Sequence, residues 1–241
     1  MATSGFTLFE MTRDQIIAAA MRKIGALAKG QSPDAEDLTN GTQALNTVLT
    51  KLQTIGMPLW ARTEFTFTPT SSATYLIGVG QTLNTPFPLK IHQALLVDVV
   101  SGANIEMQIR TIYEYNTIAS TGATGQPIQL FYQPLVNFGK ITLWPTPDFS
   151  VIANKQIKIV YQQPFDDFVS AGDTPDFPQE WHQAIIYQLA TTLAPEYGVP
   201  LQDRQMLLQE AKMYTEEALS FGNDESSIFF SPMERPCHGQ Y

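Results

Sequence analysis

PQEWHQAIIYQLATTLAPEYG, residues 178–198, decides how the rest of the chain is read. On a helix of about 3.6 residues per turn, Ile185, Ile186, Tyr187, Leu189, Ala190, Leu193, Ala194 and Tyr197 fill more than half of the circumference. Gln188, Thr191, Thr192 and Trp181 take the opposite side, and the carboxylates Glu180 and Glu196 fall at the two ends. A helix this apolar needs cover over most of its surface. Pro178 suits a first turn, where no backbone N–H is required. Pro195 kinks or ends the helix, and Gly198 supplies the stop. The stretch is therefore expected to be the central helix of the core.

The covering elements lie on both sides of it in sequence. Thr12-Arg13-Asp14-Gln15 reads as a capping box that opens a helix with the stripe Ile16/Ile17, Ala20, Ile24, Leu27/Ala28, ended by Gly30. Ser32 as N-cap, Pro33 and Asp34 start a second helix carrying Leu38, Leu45, Val48, Leu52 and Ile55, with Gly56 and Pro58 stopping it. The short link between them predicts an antiparallel helical hairpin. After the central stretch, Leu207, Ala211, Tyr214, Ala218 and Phe221 form the stripe of a further helix, closed by Gly222. Between residues 62 and 163 the period is two: Phe65/Phe67, Tyr75/Ile77, Leu95/Val97/Val99, Ile105/Met107/Ile109, Ile128/Leu130/Tyr132, Ile141/Leu143 and Ile157/Ile159/Tyr161 alternate with mainly polar neighbours. Ser101-Gly102 and residues 134–139 read as hairpin turns, and residues 111–118 as a short helix.

The fold class expected is α+β. It has a four-helix core of two N-terminal helices in a hairpin and two C-terminal helices, an inserted antiparallel β-domain or small barrel, and an extended C-terminal tail. The divisions are residues 12–61, 62–163, 176–221 and 222–241.

Composition narrows the function. With 44% hydrophobic and only 15% charged residues, some surface is expected to be buried against other chains. A net charge of −9 with fourteen scattered basic residues argues against gripping nucleic-acid phosphates. No apolar run reaches membrane-spanning length, and the first residues lack the layout of a signal peptide. The single cysteine, Cys237, rules out an internal disulfide and fits a reducing compartment.

Chemical motifs are sparse. Gly78-Val79-Gly80 resembles the start of a dinucleotide fingerprint but lacks the third glycine and a following helix. His92, His182 and His238 stand apart in sequence, and His182 reads as a packed or capping residue. Cys237-His238 offers two of the four ligands that a structural zinc site needs, so neither a metal nor a cofactor is expected. Asp166, Asp167, Asp173 and Asp176 crowd the segment before the central helix. A glycosidase would need two such acids at a defined separation. The spacing matches no calcium loop, and acids before a helix favour its positive end, so a solvated loop is expected. The tail carries Ile228, Phe229, Phe230 and Met233 between prolines, Pro232 among them. Such aromatics are either tucked onto their own domain or held for a partner.

Three segments in order carry a family resemblance: AMRKIGALAKGQSPDAEDLTNGTQALNTVLTKLQTIGMPLW (residues 20–60), GKITLWPTPD (139–148) and LATTLAPEYG (189–198). Together, over roughly residues 12–221, they resemble the head-to-tail adaptor (head-completion, tail accessory) proteins of short-tailed bacteriophages. The resemblance implies a structural virion protein without enzymatic activity, made in the host cytoplasm and located at the head–tail junction. It also implies a homo-oligomeric ring, twelve subunits in that family, beneath a portal protein. Such a ring presents a platform to tail (nozzle and tube) proteins and lets DNA through its channel without specific binding. The portal-binding role then falls on residues 223–241, with Ile228, Phe229, Phe230, Pro232 and Met233 as contacts. The alternatives are a virion-associated peptidoglycan hydrolase using an acid pair, and a carbohydrate-binding β-domain with Trp60, Tyr75, Tyr132 or Trp144 as stacking platforms.

Overall fold

The computed structural model describes residues 9–55, 62–118, 120–175 and 177–221. Helices α1 (Arg13–Lys23) and α2 (Ala35–Ile55) come first. Strands β1 (Arg62–Phe67), β2 (Thr74–Ile77), β3 (Lys90–Asp98) and β4 (Asn104–Arg110) follow, then the short helix α3 (Ile112–Asn116). Next are β5 (Thr124–Gly125), β6 (Gln129–Pro134), β7 (Gly139–Trp144), β8 (Thr146–Pro147), α4 (Phe149–Asn154) and β9 (Lys155–Gln162). A 3-10 turn, Gln179–Trp181, leads into α5 (His182–Leu193), and α6 (Leu201–Phe221) closes the described chain. Among the described residues the fold is mixed α and β, with six α-helices and a large curled sheet.

α5 holds the helical part together. Ala184, Ile185, Ile186, Leu189, Ala190 and Leu193 join Ile16, Ile17, Ala20 and Met21 of α1, Leu45, Val48, Leu49 and Leu52 of α2, and Ala218 of α6 in one buried cluster. Part of its polar side is covered too, although Thr192 stays exposed. Trp181 and Gln188, placed on the open side by periodicity, are buried. Gln188 Nε2 donates to Thr215 Oγ1 of α6 at 3.1 Å, and that hydroxyl donates to Ala211 O at 2.6 Å. A buried amide is tolerated because it finds this acceptor.

Local stop and start signals fall slightly off their expected places. α1 ends at Lys23, and Gly25 rather than Gly30 follows it in a left-handed conformation at φ +72°. Asp34, not Ser32, caps α2, its Oδ1 accepting from the Asp37 N–H at 2.8 Å. The Thr12 box forms as expected, with Gln15 Oε1 accepting from the Thr12 N–H at 3.1 Å. Phe221, placed on the inner stripe of α6, is exposed. The end of α2 past Ile55 lies outside the described residues.

The seven-stranded sheet has the order β1-β9-β3-β4-β6-β7-β2. It is not wholly antiparallel as expected: β4 and β6 pair in parallel, Ile109 opposite Leu130. The connection through α3 is long enough to bring the chain back to the same end, which a hairpin cannot do. The edges β1 and β2 curl toward one another, and the rings of Phe67 and Tyr75 stand 5.3 Å apart. In β3 the inner face is Ala94 and Leu96, not Leu95, Val97 and Val99. A β-bulge between Ile91 and Gln93 resets the alternation, and a one-residue slip exchanges the two faces.

Candidate functional site

The acidic segment before α5 is fastened rather than open. Arg13 of α1 donates from Nη1 to Val169 O at 2.8 Å, and its backbone N–H donates to Asp173 O at 3.0 Å. Asn46 of α2 clamps Phe168 from both sides, accepting from its N–H at 3.0 Å and donating to its carbonyl at 3.2 Å. Asp173 Oδ2 accepts from the N–H groups of Val169 and Ser170 at 2.9 and 2.6 Å. Those bonds hold the Asp173 carboxyl below its usual pKa. Asp166, Asp167 and Asp173 line a cleft of about 480 Å³ together with Leu49, Phe165 and Phe177. A general acid for glycoside cleavage needs a raised pKa, and Asp173 is shifted the other way. Its carboxylate fastens a turn. Asp176 lies outside the described residues.

The expected stacking platforms are occupied within the fold. Tyr75 is buried, and its hydroxyl bonds Thr70. The Tyr132 hydroxyl donates to Pro88 O, and burial pushes its pKa up to about 12. Trp144 Nε1 donates to Ser120 O at 2.8 Å. Trp60 lies outside the described residues. The Gly78-Val79-Gly80 segment is a tight loop, Gly78 N–H donating to Leu83 O at 3.1 Å. Among the described residues no group of His, Cys, Asp and Glu is arranged to hold a metal ion. No helix among them is long and apolar enough to cross a membrane.

Large apolar side chains stand in solvent on several elements. Val99 and Val100 tip the β3–β4 hairpin, Leu135 and Val136 the β6–β7 hairpin, and Phe149 starts α4. On α6, Met206 and Met213 are spaced by two turns on the face away from α5. Charge is uneven as well. Residues 163–221 hold ten acidic and two basic residues, whereas residues 1–162 hold ten and eleven. Six of those ten acids, Glu180, Glu196, Asp203, Glu210, Glu216 and Glu217, fall within residues 179–221 against Arg204 and Lys212, so the C-terminal helical part is net acidic. His182, singled out in the sequence, is packed between Phe9 and Phe177, a box that periodicity does not reveal. The tail positions Ile228, Phe229, Phe230, Pro232 and Met233, with Cys237 and His238, lie outside the described residues.

The family model for the SU10 adaptor protein matches residues 11–234. The chain belongs to that family, which bears out the resemblance to head-to-tail adaptors and makes it a structural virion component. No curated protein matches it. Among solved structures, a chain from the neck of an empty GTA (gene transfer agent) particle computed with C6 symmetry is similar at 16% identity. That likeness covers 77% of this chain and 82% of the other, with a TM-score of 0.28, too loose to define the fold.

Proposed function

We propose that this adaptor assembles as a ring of twelve subunits beneath a portal protein. It extends the DNA channel and presents a platform to the nozzle and tube proteins of the tail. The observation that carries the reading is the family match over residues 11–234. The exposed apolar side chains at Val100, Val136, Phe149, Met206 and Met213 support it, since a ring subunit buries surface on its neighbours. The net acidic charge of residues 163–221 suits a channel through which DNA slides without being held. The tail, through Ile228, Phe229, Phe230, Pro232 and Met233, is the portal-gripping segment in this reading.

Native mass spectrometry of the pure protein, alone and with its cognate portal, tests this. A monomer or weak oligomer alone and a closed ring on the portal are expected. A strict monomer under both conditions overturns the proposal.

A further inference from the structure

His182 is a buried histidine whose two ring nitrogens have no hydrogen-bond partner among the described residues. Its ring is held edge-on by Phe9 at 5.9 Å and by Phe177 at 5.5 Å. Phe9 belongs to the segment before α1 and is itself 64% exposed. Among the described residues, its hold on the body includes that ring contact and its N–H donating to Gln179 Oε1 at 3.1 Å. Met11, two residues on, packs against the helical cluster. The segment is therefore fastened at Met11 and tacked down at Phe9.

We propose that His182 is the keystone of a proton-operated latch that holds the N-terminal segment, at Phe9, against the start of α5. The neutral ring fits an apolar box of two phenylalanines. The imidazolium does not: it brings a charge into that box at the positive end of a helix, and the nearby Gln179 backbone offsets only part of the cost. Burial accordingly lowers the His182 pKa, while the Gln179 backbone and the carboxylates Glu180 and Glu10 pull the other way. The other charged groups where this segment enters α1, Arg13 and Asp14, are paired with each other at 2.7 Å. Protonation drives the ring out of the box toward Glu180 and Glu10, and Phe9 loses its seat. Phe177 loses the same neighbour, so the end of the acidic loop loosens with it.

The test follows the Phe9 amide and the His182 ring by NMR on the full chain between about pH 7.5 and 4, from where an unperturbed histidine changes charge to below it, because burial lowers the His182 pKa. In the wild type, Phe9 is expected to lose its docked chemical shift and roughly tenfold of its amide protection with the same midpoint as the His182 ring. His182→Phe, which fills the box and cannot be protonated, keeps Phe9 docked throughout. His182→Gln, polar and without a ring, leaves Phe9 undocked at every pH. Far-UV circular dichroism verifies that each variant is folded. If Phe9 undocks with an unchanged midpoint in His182→Phe, then Glu10 or Glu180 is the sensor and the proposal fails. It also fails if His182 titrates while Phe9 stays docked, or if Phe9 stays docked in the wild type down to about pH 4.

Discussion

Gly41 stands on α2 where the helix meets α1. A Cβ built there would lie 2.6 Å from Ile17 Cγ2 and 3.2 Å from its Cγ1. Ile17 is fully buried and β-branched, so it has little room to turn aside. Gly41→Ala would gain about 0.8–1.0 kcal/mol in helix propensity against roughly 1–3 kcal/mol for overpacking. A net loss is expected, read as a lower midpoint in a thermal melt. A midpoint raised by the substitution would show that α1 and α2 can move apart at no cost. The buried pair Gln188 and Thr215 makes a second case. Thr215→Val leaves the Gln188 amide without its acceptor and should cost about 1–3 kcal/mol in denaturant unfolding. Adding Gln188→Leu removes the orphaned group and should restore much of that stability. A double variant as unstable as the sum of two singles would deny the coupling.

Among the elements, the segment between β9 and α5 has no regular structure yet is pinned at several points. Arg13, Asn46 and the Asp173 carboxylate hold its backbone. Asp173→Ala is expected to speed amide exchange at Val169 and Ser170, the two donors it loses, while the buried amides of α5 keep their protection. Because the Asp173 pKa is lowered in the folded loop, its contribution is present at neutral pH, above the unfolded value. It is lost as the pH falls through the lowered folded value. Hydrogen exchange at both donors along an acid series checks the sign. Exchange that slows on acidification, after correction for intrinsic rates, would contradict it.

For the whole molecule, the tail reading is testable apart from the body. Burying each aromatic on a portal should return roughly 1.5–3 kcal/mol, against about 1–2 kcal/mol for each backbone residue ordered. One tail then binds weakly, and a ring that engages many binds tightly. Phe229→Ala with Phe230→Ala should leave the melting midpoint unchanged and abolish stable assembly on the portal in gel filtration. Normal assembly, or a large fall in the midpoint, would place these aromatics in the subunit's own core.

The sequence by itself determined where the longer helices and most strands run, though not the short helix α4 (Phe149–Asn154), because periodicity and capping are local. The apolar arc of residues 182–193, the Thr12 box, and the alternation of Ile157, Ile159 and Tyr161 each depend on neighbours a few residues away. It also carried the family resemblance. Only the tertiary structure decided what covers each surface. α6 supplies an acceptor that lets Gln188 be buried, and a bulge at Ile91 turns Ala94 and Leu96 inward. The route through α3 sets β4 beside β6 in parallel. Phe9 and Phe177, 168 residues apart in sequence, meet on His182. Burial is a property of pairs of distant segments, and no local pattern in either segment names the other.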